Sequence, residues 1–312
     1  MNIENVCVLG GSGFIGRHIC EVLAAKGYRL RVPTRRRERV KHLTVLPTVE
    51  LVEADIHDPR TLSWCLRGQH AVINLVGILH GNFQQVHVEL PRKVVGACKA
   101  QGVQRLLHMS ALNADVNGPS DYVRSKGQGE IVVRESGLAY TVFRPSVVFG
   151  PGDRFLTVFA RMQSMAPIVP LACANARFQP VYVEDVAAAY AAALEDPEAI
   201  GAAYDLCGPK VYTLRELVRY AGEVSGHPRP VIGLGARLSY LQAAVLESLP
   251  GKMMTRDNVR SMKVDSVCNS RFPFGIKPAA LESVAQNWLA PQYPRTRFQP
   301  YRDRARRSSG PR

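Results

Sequence analysis

Three glycines near the N-terminus constrain the fold more than any other feature of the sequence. Gly10, Gly13 and Gly16 stand at every third position directly after the apolar run of residues 6–9. The next residues carry apolar side chains at helical spacing, and a second apolar run follows the stop at Gly27. The order of strand, glycine turn, helix and strand predicts the first unit of a parallel α/β sheet.

The glycines have separate physical tasks in such a unit. One makes a tight turn, one lets the backbone approach a diphosphate, and one lets the helix pack closely on the strand. The diphosphate meets the free N–H groups and the positive end of the helix. The segment therefore predicts a dinucleotide site, with contacts from Gly10, Gly13, Phe14, Ile15 and Gly16.

The end of the second strand predicts which dinucleotide is bound. An acidic residue there would hold the ribose hydroxyl of NAD, but no acid occurs between Glu21 and Glu38. Arg35 and Arg36 stand there instead, and a guanidinium suits a 2′-phosphate by charge and by geometry. We therefore predict NADP(H) over NAD(H); the alternative is an exposed basic helix start.

The pattern of strand and helix continues through the first half of the chain. Strands are predicted at residues 28–32, 49–53, 71–76 and 105–109, with helices at 60–67 and 90–101. This alternation predicts an α/β fold: a Rossmann-like, doubly wound parallel sheet with helices on both faces and a small C-terminal lobe. Ligands gather at the carboxyl ends of such strands, so further cofactor contacts are expected from Asp55, Ile56, Asn74 and Gly77.

A serine, a tyrosine and a lysine follow the strand at 105–109. Ser110 closes that strand, and turn and cap residues predict a helix that begins near Tyr122. Tyr122 and Lys126 then share one helical face. A phenol with a pKa of about 10 is a poor base at neutral pH, and a neighbouring ammonium should lower it. Ser110 would hold a substrate carbonyl, Tyr122 would move the proton, and both Tyr122 and Lys126 would contact the cofactor.

With these residues in place, the first 215 positions resemble the short-chain dehydrogenase/reductases of the extended kind. The resemblance continues through residues 142–155, and it implies that the backbone of Pro145 and Val147 borders the nicotinamide. Dehydratases of this group place acids beside the serine, whereas Ala111 and Leu112 stand here. Dehydration chemistry is therefore disfavoured.

A narrower resemblance covers the chain to about residue 289. In residues 108–130, 150–162, 178–190 and 253–265, the sequence is similar to the family of NADPH-binding accessory subunits of respiratory complex I and their bacterial relatives. This implies a cofactor bound largely for the structure or assembly of a membrane-associated complex, with respiratory subunits as partners. The alternative is an active NADP-dependent oxidoreductase or epimerase that uses Ser110, Tyr122 and Lys126 on a carbonyl or quinone-like substrate.

We predict three regions: a dinucleotide-binding domain at 1–215, a small lobe for substrate or partner at 216–290, and a basic tail at 291–312. Asp185 should be structural, and Thr213 with Glu216 forms a capping box. Residues 228–254 hold apolar side chains at helical spacing. They predict a core helix of the small lobe; the alternative is a surface helix at a membrane or partner.

The net charge of +14 is unevenly spread, because ten of these charges fall in residues 35–41 and 295–312. The basic tail could bind an anionic membrane surface, or it could serve only to keep the protein soluble. Binding to nucleic acid is disfavoured, since no nucleic-acid-binding motif accompanies the tail. The run 71–88 holds too many polar residues for a membrane helix. We expect a cytoplasmic protein, at most peripheral at the inner face of the membrane. The seven dispersed cysteines predict reduced core thiols, no disulfide and no metal site.

Overall fold

The computed structural model describes residues 3–248 and 254–291. In chain order the strands are β1 (Asn5–Leu9), β2 (Arg29–Thr34), β3 (Val49–Glu53), β4 (Ala71–Asn74), β5 (Arg105–Met109), β6 (Ala139–Pro145), β7 (Val148–Phe149), β8 (Val169–Leu171), β9 (Arg177–Phe178), β10 (Val181–Tyr182), β11 (Ala203–Leu206), β12 (Tyr212–Thr213) and β13 (Val231–Gly233). The helices are α1 (Phe14–Ala25), α2 (Pro59–Leu66), α3 (Leu90–Gln101), α4 (Asp121–Arg134), α5 (Leu156–Met165), α6 (Val183–Glu195), α7 (Leu214–Val224), α8 (Ala236–Ser248), α9 (Arg256–Ser261), α10 (Leu281–Val284) and α11 (Gln286–Leu289).

Seven strands form the central sheet, in the order β11-β6-β5-β4-β1-β2-β3, and every neighbouring pair is parallel. The predicted Rossmann-like fold is confirmed. The strand order reverses between β1 and β4, so their carboxyl ends open a crevice in which such sheets bind ligands.

Each face of the sheet carries its own core. On one face Val6 and Val8 of β1 pack with α1 and α6, and on the other Cys7 and Leu9 pack with α2 and α3. The alternation follows from the pleat, which directs successive side chains to opposite faces. Because both faces are covered at the centre of the sheet, β1 and β4 have nearly continuous apolar sequences.

The second half of the chain has separate apolar clusters around α5, α7 and α11. Trp288 packs there, with its ring centroid 6.2 Å from that of Phe149 and 6.3 Å from that of Tyr182. The predicted capping box at Thr213 is present. Asp185 Oδ2 accepts a hydrogen bond from the Ala279 amide at 2.7 Å, as its predicted structural role requires.

The prediction of a core helix at residues 228–254 is wrong. Helix α8 lies at the surface, with Leu238 and Leu241 56% and 60% exposed and Ser239 and Ala243 buried. Helical spacing shows that one face is apolar, but it does not show which face meets the body of the protein. Residues 249–253 and the predicted tail beyond Pro291 lie outside the described residues.

The prediction of uniformly reduced cysteines is also wrong. Cys207 and Cys268 form a disulfide across 61 residues of sequence, which joins the end of β11 to the loop before α10. Neither residue has a local sequence signal, because only the folded chain brings these segments together. The other cysteines with buried thiols are free, as predicted: Cys7, Cys20, Cys65 and Cys98.

No helix within residues 3–248 and 254–291 is long and apolar enough to cross a membrane.

Two glycines let helix α4 approach its neighbours closely. A Cβ atom on Gly129 would lie 1.9 Å from the carbonyl oxygen of His87, and one on Gly127 would lie 2.7 Å from the backbone of Asp115. Glycine is unfavourable within a helix by about 1 kcal/mol relative to alanine. Here that cost is offset by seating α4 directly on the π-helical segment Gln84–Glu89.

We predict that Gly129→Ala lowers the free energy of unfolding by about 3 kcal/mol, because the new methyl group must displace the His87 carbonyl. Gly96→Ala in α3 is the matched control, since a Cβ there meets nothing within 4 Å. That change should instead add about 0.8 kcal/mol of stability. Chemical denaturation of both variants measures the difference; equal stabilities would contradict the packing described here.

Candidate functional site

The glycine turn between β1 and α1 is packed too tightly for side chains. Gly10 has a φ of +82°, and a Cβ on it would lie 3.3 Å from the backbone of Leu75 and Val76. A Cβ on Gly16 would lie 2.3 Å from the Gly10 carbonyl oxygen. Both glycines are therefore required by the backbone, and the turn lies directly beside the end of β4.

The N-terminus of α1 is left open by its sequence. Gly13 is the N-cap and has extended backbone, and it offers no side-chain cap. The first N–H groups of a helix, here from Phe14 and Ile15 onward, have no partner within the helix. This cradle fits a diphosphate, because its amides and the helix dipole both favour negative charge.

The predicted cofactor residues after β2 and β3 lie at the same edge of the sheet. Arg35 and Arg36 are exposed immediately beyond β2. Asp55 is exposed beyond β3, and its Oδ1 accepts a hydrogen bond from the His57 amide at 3.0 Å. Ile56 is half-buried. The arginines are thus available to a phosphate group at this edge.

The turn after β4 brings two further predicted residues toward α4. Asn74 is buried, and its Oδ1 accepts from the Val76 amide at 3.2 Å while its amide group contacts His108 Nδ1 at 3.2 Å. A Cβ on Gly77 would lie 3.2 Å from Lys126 Nζ. Asn74 therefore shapes the turn, and Gly77 leaves room for the lysine.

Helix α4 begins where the sequence predicted. Ser120 caps it by accepting from the Val123 amide at 3.1 Å. The sequence did not indicate that Asp257 of α9 also caps this helix, accepting from the amides of Asp121 and Tyr122 at 2.8 and 3.0 Å. The start of the helix is thereby fixed by tertiary contacts.

The three predicted proton-transfer residues occupy different surroundings. Lys126 is buried, and its Nζ donates to the Met109 carbonyl at 3.1 Å. The Ser110 hydroxyl is buried beside Glu130 and helps to lower the pKa of that carboxyl. Tyr122 is half-buried, with its ring centroid 6.0 Å from that of Phe83 and 5.6 Å from that of His87. Predicted cofactor neighbours Pro145 and Val147 are half-buried on the next strand end.

The expected activation of Tyr122 is wrong for the chain by itself. Burial raises the pKa of the Tyr122 phenol to about 12, even though part of the residue stays exposed, because Phe83 and His87 remove water from the ring. Burial likewise lowers the pKa of the Lys126 ammonium to about 8. The sequence places tyrosine and lysine one helical turn apart, but desolvation is set by the tertiary packing around them.

His87 organises this corner and was not assigned to it from the sequence. Its Nε2 accepts from the Ile78 amide at 3.1 Å, so Nδ1 carries the proton and donates to Ser125 Oγ at 2.9 Å. Burial, then the charges of Lys126 and His108, lower the pKa of His87 to about 3. The neutral imidazole therefore ties the Gly77 turn to the middle of α4. The contact between His87 and Ser125 could not be read from the sequence, because the two residues lie 38 positions apart.

A buried carboxylate, that of Glu130, lies next to Ser110 and is paired with two partly exposed arginines. Glu130 of α4 accepts from Arg144 Nε of β6 at 2.9 Å and from Arg134 Nε at 2.8 Å. Burial alone would raise the pKa of Glu130, but Arg144 and Arg134 hold it below its usual value. Arg144 borders a cavity of about 480 Å³ that Asp205 also lines. Only the Arg134 contact, at i and i+4, is readable from sequence.

No group of three or more His, Cys, Asp or Glu side chains in the described part of the chain is arranged to hold a metal ion.

The fold and this edge of the sheet define a nicotinamide dinucleotide-binding protein of the short-chain dehydrogenase/reductase type. The chain belongs to the NAD dependent epimerase/dehydratase family, whose sequence model matches residues 6–207.

Two relatives and one structure illustrate the range of this similarity. The chain is 31% identical over 300 residues to the mitochondrial NADH dehydrogenase (ubiquinone) 1 alpha subcomplex subunit 9 of Mus musculus, covering 88% of this chain and 77% of that one. It is 30% identical over 225 residues to ceramide reductase of Caulobacter vibrioides, covering 71% and 70%. The structure of an NADPH-dependent quinone oxidoreductase from Escherichia coli with NADPH superposes with a TM-score of 0.74 at 22% identity, covering 90% and 98%.

We predict that Lys126→Met stabilises the unliganded protein. The folded-state pKa of Lys126 is about 8 against an ordinary 10.5, so its charge opposes folding below pH 8. Burying the charge costs about 3 kcal/mol, which the variant no longer pays. The variant also loses the hydrogen bond to Met109, which lowers its stability by about 1 kcal/mol. The free energy of unfolding at pH 7 should therefore rise by about 2 kcal/mol.

The wild-type protein should gain stability as the pH rises from 8 to 10.5, and Lys126→Met should remove that gain. Urea denaturation across this range measures both effects, with the exposed Lys99→Met in α3 as control. A loss of stability in Lys126→Met would show that the ammonium is not buried at a cost.

Proposed function

We propose that this protein binds NADP(H) largely as a structural ligand, and that the bound form supports the assembly of a membrane-associated complex. The observation that carries this proposal is the contrast between the two halves of the site. The glycine turn and the strand ends are shaped for a dinucleotide, whereas burial holds the Tyr122 phenol at a pKa of about 12. The dinucleotide site is thus preformed, whereas burial in the unliganded chain opposes formation of the phenolate.

The relatives support this reading. Mitochondrial complex I subunits match most of the chain at about 30% identity. A ligand that binds only the folded state stabilises it by mass action. A tightly held dinucleotide that bridges the ends of several strands would act in this way, and a partner would then meet a rigid surface.

Specificity for the phosphorylated cofactor is proposed for Arg35 and Arg36. We predict that Arg35→Ala with Arg36→Ala weakens NADPH binding roughly tenfold to hundredfold, since bonds between charged groups contribute about 1.5–3 kcal/mol. NADH binding should change little. Calorimetric titration of both cofactors measures this, with the exposed Arg39→Ala as control. Equal affinities of the wild-type protein for NADH and NADPH would contradict the assignment.

An active oxidoreductase or epimerase is the second candidate. It is favoured by the presence of Ser110, Tyr122 and Lys126 at one strand end and one helix face, and by similarity to ceramide reductase. In this reading Ser110 orients a carbonyl or quinone-like substrate and Tyr122 transfers the proton. The bound nicotinamide supplies hydride chemistry.

Purification from the native host in mild detergent distinguishes the two. We expect the protein to migrate with other subunits of a membrane complex and to retain NADPH, with Tyr122→Phe leaving assembly and bound NADPH unchanged. Free protein that oxidises NADPH with a carbonyl substrate, and loses this activity in Tyr122→Phe, would instead establish the enzyme. Protein purified alone and without nucleotide would contradict the structural proposal.

A further inference from the structure

Helix α8 has its apolar residues on the outside. Leu238, Leu241 and Val245 follow the spacing i, i+3 and i+7, and they are 56%, 60% and 56% exposed. The opposite side buries the small residues Ser239 and Ala243. A helix on a water-facing surface normally shows the reverse arrangement.

Polar bonds fix α8 in this orientation. Gln242 accepts from the Ala172 amide at 3.0 Å and donates to the Pro170 carbonyl at 2.8 Å. Ser239 Oγ accepts from the Cys173 amide at 3.3 Å. Since these bonds hold the polar side against β8, the apolar side cannot turn inward without breaking them.

Exposed apolar residues also occur on segments close to α8 in the fold. Strand β13 pairs with β8, placing Ile232 opposite Pro170, and Ile168 directly precedes β8. We call these residues the α8 patch: Met165, Ile168, Ile232, Leu238, Leu241 and Val245. Single exposed apolar residues need no explanation, but a set of them on adjoining elements is a candidate interaction surface.

Cationic side chains lie on, or next to, the elements that carry the α8 patch. Arg229 Nε donates to the Gln163 carbonyl at 3.1 Å, near Met165, and Arg260 donates to the Tyr240 hydroxyl at 3.1 Å. Arg161 and Arg237 are also exposed there.

The acids of α8 and α9 offset part of this charge. Glu247 pairs with Arg256 at 3.0 Å, and the charges of Asp257 and Asp121 act on Arg260. Arg161, Arg229 and Arg237 are also exposed, so the arginines outnumber these acids and the rim has a net positive charge.

This combination favours one occupant. An apolar helical face bordered by arginines is the arrangement that lies in the interface of a bilayer with anionic lipids. A second copy of the chain is disfavoured, because a two-fold contact would bring the same positive rims together. We propose that the α8 patch docks this protein on an anionic membrane surface.

The test is cosedimentation of the full-length chain with vesicles of about three parts phosphatidylcholine to one part phosphatidylglycerol. The wild-type protein should bind, and Leu241→Glu should reduce the partition coefficient at least tenfold. Val45→Glu is the matched control, since Val45 is 78% exposed outside the patch, and it should bind as the wild type does. Arg237→Glu should weaken binding to these vesicles but not to pure phosphatidylcholine.

A second measurement reports contact directly. Tyr240→Trp places an indole beside the patch, and its fluorescence should shift to shorter wavelength with vesicles. Unchanged circular dichroism and melting temperature establish that each variant is folded.

Three results would overturn the proposal. The first is a wild-type protein that does not sediment with vesicles. The second is undiminished binding by Leu241→Glu, which would assign binding to another basic segment such as residues 295–312. The third is a dimer in sedimentation equilibrium that Leu241→Glu dissociates without any vesicle binding.

Discussion

The contact between the glycine turn and the end of β4 is the constraint on which the rest of the site depends. Gly16 packs on the Gly10 carbonyl, and Gly10 packs on the backbone of Leu75 and Val76. Side chains at either position would separate α1 from β1, or β1 from the turn that leads to Gly77. Because these backbones touch, the crevice at the reversal of strand order has a floor of bare peptide groups. Every other cofactor-facing residue is positioned relative to that floor.

The opposite wall of the crevice contains buried polar groups: two histidines that are held neutral and one ammonium whose charge is unfavourable there. Burial lowers the pKa of His87, of His108 and of Lys126, and the first two titrate only near pH 3. Asn74 and the Ile78 amide bond to the imidazoles and keep them in fixed tautomers. The one ammonium in this set is thus held at an energetic cost beside Gly77. Sites that store such a cost are commonly functional, because a ligand of opposite charge recovers it.

Helix α9 connects this wall to the exposed patch on α8. Asp257 caps the first turn of α4, and Ser261 Oγ contacts Ser120 Oγ at 2.8 Å. Arg260, on the same short helix, bonds to Tyr240 of α8. Two sets of polar contacts through α9 thus join α8 to the start of the helix that carries Tyr122.

The sequence determined the first half of the protein closely. Apolar runs, glycines and capping residues are local signals, and each strand and helix interpreted from them lies within two residues of its place in the structure. The same signals located the glycine turn, the strand ends and the shared face of Tyr122 and Lys126, since these depend on spacing alone. A close contact at Gly129 could also be expected from the sequence, because glycine is unfavourable within a helix unless a neighbouring segment packs closely against it.

Only the tertiary structure decided the properties that depend on surroundings. Burial beside two rings from a distant segment raises the pKa of Tyr122, and His87 joins the Ile78 amide to the Ser125 hydroxyl. Cys207 and Cys268 meet because β11 and a late loop share one edge of the sheet. The pattern in α8 was visible, yet its direction was not. Periodicity fixes which residues share a face, whereas the free energy of burial depends on what that face meets, and a one-dimensional pattern does not contain that partner.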